Sequence, residues 1–329
     1  MTETHGAEPG RATERSAGGV AVVVVTYNRP DYLKTLLTSL ANLSVQADLV
    51  VVVDNASTAP TVEVINNAAA LFAPGVLINH RLETNSGGAG GFSSGVAKAL
   101  ELGADWLWLM DDDVEALPDA LKHLLGWGQR FKCVHGRRYD FDGSPFFWQP
   151  IFQEFLGVPL PYIRDPFETS EFMLMNSGCF EGMFIHRDVV AAIGLPDPRF
   201  FITWDDAIYG WLASRVTEVA YVNAFVLKRA REQRQISLVV RHLNDASDLF
   251  RFHVMRNRAY VGKYFQQRGT LNRFGFGLGT FLTFAKEIVR LVAVEHRITG
   301  IGPLLRGWRE GRKIWRNPGW QPMPPFNDI

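Results

Sequence analysis

The sequence holds only two cysteines in 329 residues, Cys133 and Cys179, and they form no C-x-x-C pair. A zinc ribbon and a dithiol redox motif are thereby excluded, and a reducing compartment suits the chain better than a disulfide-stapled one. No run of about 18 apolar residues is present, the length a membrane-spanning helix needs. The nearest approach, residues 274–285, is too short and is followed by Lys286, Glu287 and Arg290. Nor is there a surplus of charge. Lys+Arg and Asp+Glu both total 34, so the whole chain carries no electrostatic signal for nucleic acid. The first 19 residues lack an apolar stretch and read as a disordered tail, not a secretory signal. No internal repeat is found.

What is present is an ordinary folding composition, 47% hydrophobic and 21% charged, in a chain long enough to bury a substantial core. Residues 20–25 are β-branched and almost wholly apolar, the pattern of a strand covered on both faces. Pro30-Asp31 then opens a helix with Leu33, Leu36, Leu37 and Leu40 at helical spacing. A second strand over 49–53 ends at Asp54-Asn55, and a helix is expected over 61–72. A third strand is expected at 76–78. The Gly-rich segment 87–91 follows Asn85 and leads into a helix through 102. A fourth strand, 106–110, ends at Asp111. This alternation predicts βαβ units and a mainly parallel sheet in an α/β protein. Each polar motif stands at the carboxyl end of a strand, where open α/β sheets bind ligands. Beyond residue 125 the pattern loosens, and residues 131–175 read as a lid or an acceptor-binding insert. Order resumes at 179–186 and 200–213, and from 240 onward the chain reads as mostly helical.

Asp111-Asp112-Asp113 places three carboxylates side by side, and such groups repel unless a cation or solvent separates them. Hard oxygen ligands suit Mg²⁺ or Mn²⁺, and a metal that also holds a diphosphate neutralises a departing nucleotide. The plainer alternative is a solvated acidic turn. Asp54-Asn55 suits hydrogen bonds to a base or ribose, or else an Asx-turn. The segment 87–91 fits neither G-x-G-x-x-G nor a Walker loop, and alone it reads as a flexible turn. A second acidic pair, Asp205-Asp206, follows Trp204. A carboxylate there is suited to take a proton from an acceptor hydroxyl, or to cap a helix. Arg256-Asn257-Arg258 lies on a predicted helix, where it would meet an anion, pair with the acidic site or face solvent.

Four strings, residues 22–30 (VVVVTYNRP), 53–55 (VDN), 85–92 (NSGGAGGF) and 109–113 (LMDDD), together resemble family 2 inverting glycosyltransferases of the GT-A fold. Two more, residues 201–210 (FITWDDAIYG) and 253–258 (HVMRNR), resemble the galactofuranosyltransferases of actinobacterial cell-wall galactan synthesis. The resemblance covers roughly residues 20–262. It implies that Thr26, Arg29, Asp54 and Asn85 hold the nucleotide together with Asp111 and Asp112. Asp111 and Asp113 would carry a Mn²⁺ or Mg²⁺ ion, Asp206 would be the catalytic base, and Trp204 and Asp205 would place the acceptor. The implied donor is UDP-galactofuranose and the acceptor a lipid-linked cell-envelope glycan. Related enzymes carry a further metal-ligating His about two dozen residues beyond the base; residues 224–231 have none and offer Lys228 and Arg229 instead.

The expected organisation is a tail (1–19), a GT-A catalytic domain (20–239) and a helical C-terminal extension (240–329). In that extension Phe274, Phe276, Leu278, Phe281, Leu282 and Phe284 precede Trp308, Trp315 and Trp320. Over residues 297–316 six basic side chains face one acid, Glu310. Basic residues beside Trp suit a membrane interface, hence a peripheral protein at the inner face of the plasma membrane. A homo-oligomer contact or a helical cap on the core is the alternative. The rival functions are a rhamnosyltransferase using dTDP-rhamnose, a nucleotidyltransferase, and a non-catalytic glycan- or nucleotide-binding protein.

Overall fold

The computed structural model describes residues 19–146, 151–160, 165–231, 236–238, 241–243 and 247–326. Residues 1–18 of the expected tail, and the domain boundary expected at 239/240, lie outside them. The first part alternates as the sequence predicts: β1 (Val20–Thr26), α1 (Pro30–Ala41), β2 (Leu49–Asp54), α2 (Ala59–Ala68), β3 (Leu77–Arg81), α3 (Gly87–Glu101) and β4 (Trp106–Asp111). All of β1 and β2 is buried, as a parallel sheet sandwiched between helices requires. Pro30 sits in the first turn of α1, where its missing N–H is no loss, and the helix buries Leu33, Leu36, Leu37 and Leu40. The helix expected over 61–72 starts earlier, at Ala59, and gives way after Ala68 to a single 3-10 turn.

The chain continues through β5 (Val114–Ala116), α4 (Ala120–Gly128), β6 (Cys133–Tyr139), β7 (Pro145–Phe146), β8 (Ile151–Gln153), β9 (Val158–Leu160), β10 (Phe172–Met175), β11 (Met183–His186), α5 (Arg187–Ile193), α6 (Asp205–Ala213) and β12 (Val219–Arg229). A short hairpin, β13 (Ile236–Leu238) and β14 (Arg241–Leu243), precedes α7 (Asp248–Gln267), α8 (Arg273–Val289) and α9 (Ile301–Arg316). The main sheet runs β10-β12-β6-β11-β4-β1-β2-β3. β4, β1, β2 and β3 are parallel neighbours, as are β12 and β6, whereas β11 is antiparallel to both β4 and β6. The insert expected over 131–175 therefore needs correcting: Cys133–Tyr139 is an interior strand of the main sheet, disguised by buried polar residues.

The register decides where the chemistry sits. Thr26 pairs with Asp54 and Val25 with Asp111, so the carboxyl ends of β1, β2 and β4 lie side by side. Side chains alternate along β1: Val23 and Val25 join one core with Phe92 and Leu109, while Val22 and Val24 join the other with Leu36 and Trp108. A third, smaller core of Val254, Met255, Leu291 and Leu304 lies among the C-terminal helices. Among the described residues no helix is long and apolar enough to cross a membrane.

Candidate active site

The turn after β1 is held by polar side chains. Asn28 adopts a left-handed backbone (φ 54°), and its amide oxygen accepts from the N–H and hydroxyl of Thr58. Thr26 Oγ1 donates to Asp112 at 2.7 Å, and Arg29 donates to Asp112 and Asp113 at 3.0 and 3.1 Å. Three of the expected nucleotide residues thus form one contact set with Asp113 beside them. Asp54 is fully buried; it accepts the Ser57 N–H at 2.8 Å and pairs with Arg81. The local backbone bond expected as the plainer role of Asp54 is present but reaches three residues on and not the two of an Asx-turn, and the second oxygen faces a cation instead of solvent. Asn85 is exposed and accepts the Gly87 N–H at 2.9 Å, while Asn55 ties Ser86 and Gly87 to the end of β2.

At the end of β4, burial together with the charges of Asp113, Glu181 and Asp112 pushes the Asp111 carboxyl well above its usual range. Asp112 is pushed up by burial, against the pull of Arg29 and Thr26. Among the described residues no three His, Cys, Asp or Glu side chains converge as a complete metal cage. The donor set still fits Mg²⁺ or Mn²⁺. These ions commonly bind one or two protein carboxylates and complete their shell with water and phosphate oxygens, and the surplus negative charge at Asp111 favours a cation. Arg229, at the end of β12, forms ion pairs with Glu181 at 3.1 Å and Asp140 at 3.6 Å, so its charge enters this cluster from the other side.

The second acidic pair reaches the same place by a different route. Phe201, Thr203 and Trp204 all have positive φ (64°, 66° and 71°), a conformation L-residues avoid. The segment is held there by α7. The Asn257 amide donates to the carbonyls of Phe200, Ile202 and Thr203 at 2.9, 2.8 and 3.0 Å. Arg256 donates to the carbonyls of Arg199 and Phe200, and the Trp204 indole donates to Val254 at 3.1 Å. From the other side the Ala89 N–H donates to the Phe201 carbonyl at 3.1 Å. The loop so fixed delivers Asp205 and Asp206 to the first turn of α6.

Their environments differ. Burial, and then the Asp206 charge, push Asp205 up to about 8. Burial also pushes Asp206 up, to about 6, but the Ala207 N–H, the Cys179 thiol and Arg138 each favour its charged form. Burial thus holds both carboxyls above the usual range, and Asp206 is the one whose charged form has specific partners. Asp206 also retains partial exposure, which a base acting on a substrate needs. Arg138 links the two acidic groups: it lies 3.0 Å from the Glu181 carboxylate and donates to Cys179 Sγ at 3.5 Å, while Glu181 acts on Asp111. The strand-end carboxylates and Asp206 thus border one charged cluster.

Glu181, Arg138 and Arg81 escape a reading of sequence motifs. Of Arg256-Asn257-Arg258 only Arg256 reaches solvent, and only in part; Asn257 is fully buried, and Arg258 donates to the carbonyls of Gly157, Leu156 and Phe276. The one signal available was three polar residues in a row, more than one face of a helix can turn to solvent. The segment 87–91 is no flexible turn. Gly87 opens α3 at φ 72° against Phe201, and Gly91 packs on Val25, where a Cβ would collide.

Residues 21–187 match the family model described as glycosyl transferase family 2. The galactofuranosyltransferase GlfT1 of Mycolicibacterium smegmatis is 30% identical over 199 residues, which make up 57% of this chain and 62% of that protein. GlfT1 of Mycobacterium tuberculosis is 34% identical over 200 residues, with the same shares. The match spans less than two thirds of the length of these relatives. Among solved structures, GalNAc-T7 with UDP, GalNAc and Mn²⁺ superposes with a TM-score of 0.53 at 13% identity, covering 66% of this chain and 44% of that one. The fragment 1–349 of S. aureus TarS in complex with UDP-GlcNAc gives 0.51 at 15% identity, covering 91% of each chain. These structures share the GT-A architecture that the strand-end motifs suggested, and with the family model matching residues 21–187 the chain belongs to glycosyl transferase family 2.

Proposed function

We propose that the chain is an inverting hexosyltransferase that moves galactofuranose from UDP-galactofuranose to a hydroxyl of a lipid-linked cell-envelope glycan. The observation that carries this reading is the meeting of Asp111, at the end of β4, and Asp206, at the start of α6, around the Glu181–Arg138 pair. The 30% and 34% identity of the chain to the two GlfT1 proteins supports the donor.

Thr26, Arg29, Asp54 and Asn85 line the carboxyl ends of β1 to β3 and would hold the nucleotide, with Asp112 fixing Thr26 and Arg29 in place. Asp111 and Asp113 would hold the divalent cation, Mn²⁺ or Mg²⁺, which when bound offsets the charge of the departing diphosphate. Asp206 would accept the proton of the acceptor hydroxyl as its oxygen attacks the anomeric carbon, and the raised affinity of Asp206 for a proton brings it closer to the operating pH. Trp204 and Asp205 would place the acceptor. Peripheral contact with a membrane through α8 and α9 would bring a lipid-linked acceptor to this site.

Thermal-shift titration with UDP, UDP-galactofuranose, UDP-glucose and dTDP-rhamnose, each with Mn²⁺ and with EDTA, tests the donor. A ligand at about 100 times its Kd adds about 2.7 kcal/mol of stability. Stabilisation by the UDP ligands that EDTA abolishes is the expected result. Preference for dTDP-rhamnose would replace the donor assignment with a rhamnosyl one, and silence toward all four would remove it.

A further inference from the structure

A cavity of about 690 Å³ opens between α7, α8 and α9, away from the carboxylates. Its walls are Met255, Ala259, Phe276, Phe281, Phe284 and Trp315, and its volume falls within the range of about 300–1,000 Å³ typical of small-molecule sites. Around it α8 leaves Phe274 and Phe281 exposed (79% and 64%), and Trp308 of α9 is also exposed. A monomer covering its apolar surface would bury such rings, so this face is built to meet something apolar. Two cations fix the polarity of that partner. Arg273 and Arg312 both line the cavity and are exposed, and neither forms an ion pair among the described residues. Arg312 instead lies 5.1 Å over the Trp308 ring. An apolar groove bordered by arginines without carboxylate partners fits an amphiphile with one hydrocarbon chain and an anionic head.

The position of the groove adds to this. Arg258 forms part of its wall and lies 5.4 Å from the centre of the Trp204 ring, the residue that begins the Asp205-Asp206 helix. The same helix, α7, thus borders the groove and clamps the loop that carries Asp206. We propose that the α7–α8–α9 groove binds the hydrocarbon chain of a single-chain lipid phosphate, with Arg273 and Arg312 on the phosphate. This rests on the reading given under Proposed function, in which that lipid is the carrier end of the acceptor.

Calorimetric titration of the full chain with octyl and decyl phosphate below their micelle concentrations tests it, with decanol and inorganic phosphate as partial ligands. Decyl phosphate should bind more tightly than octyl phosphate, by up to about fourfold per added methylene, and more tightly than either partial ligand. Gly277 lines the groove and has open space where a side chain would go, so Gly277→Trp should fill the groove and weaken decyl phosphate at least tenfold. The same change removes a glycine from a helix interior, so the melting temperature should hold or rise. Arg273→Glu/Arg312→Glu should weaken decyl phosphate about tenfold and leave decanol unaffected. Affinity independent of chain length, or equal affinity in wild type and Gly277→Trp, overturns the proposal. So does binding to anionic phospholipid vesicles that Gly277→Trp leaves intact, since the surface and not the groove would then meet the lipid. A stable oligomer that Gly277→Trp dissociates assigns the groove to a second copy and also overturns it. UDP binding to the same wild-type sample separates the two readings: UDP bound without decyl phosphate defeats this proposal alone, and decyl phosphate bound without UDP defeats the donor reading.

Discussion

The two sides of the candidate site are built on different physical principles. The proposed nucleotide side stands on β1, β2 and β4, apolar strands with helices spaced to cover them, and its acidic residues Asp54 and Asp111 stand where β2 and β4 end. The base side, from β6 to α7, carries its polar residues inside: His135, Arg138, Asp205, Arg251, Asn257 and Arg258 are all buried. Hydrophobic burial is non-directional, so it positions a strand end without fixing a strained loop. Hydrogen bonds to buried carbonyls are directional, and the positive-φ loop before Asp205 uses them.

The largest effect that would sharpen this contrast is at Asp206, the proposed base. Asp206→Asn should lower kcat by about 10²- to 10⁴-fold while UDP binding, read by calorimetry, survives. Next is a matched pair. Leu36→Ala should cost about 2–5 kcal/mol of stability, and Asn257→Ala about 1–3 kcal/mol for each loop carbonyl left without a partner. Well below both melting temperatures, only Asn257→Ala should depress kcat, because only it releases the loop that presents Asp206. Equal kcat in the two variants would erase the distinction drawn here.

A smaller effect is read in the pH profile. Asp206 must be ionised to accept a proton, so kcat/KM should fall about tenfold per pH unit below about pH 6, and Asp206→Asn should abolish that limb. The smallest effect concerns Asp205. Its folded-state value is raised from 3.8 to about 8. Its contribution to stability is therefore fully present below about pH 4 and lost as pH rises through 8. Asp205→Asn, which imitates the protonated form, should match wild-type melting below about pH 4 and exceed it by a growing margin as pH rises toward 8.

This contrast also explains how much was legible in advance. β1, β2, β4 and α1 follow from valine runs and leucine spacing, and the register of those strands brings Thr26, Asp54 and Asp111 together without further information. β6 was hidden because His135, Arg137 and Arg138 lower its apparent hydropathy. What buries Arg138 is its partner Glu181, 43 residues away in sequence, and no local window contains both. Asn257 stood out in the sequence, but its role was hidden for a related reason: a helical Asn gives no hint of three carbonyls lying more than fifty residues earlier. Local periodicity reports the apolar scaffold, whereas long-range polar pairing leaves no period to detect.

Gly87 brings the two sides into contact. Its N–H is taken by Asn85, its carbonyl by Asn55, and its α-carbon rests against the Phe201 carbonyl so closely that a methyl group would not fit. The turn offered to a nucleotide and the loop that presents Asp206 therefore share an atom-to-atom boundary. Thermodynamic reciprocity follows: if occupancy at Asn85 stiffens or shifts that boundary, acceptor binding at the loop must act on donor affinity by the same factor. A single residue that lacks a side chain would thus couple the two sides equally in both directions, whichever substrate binds first.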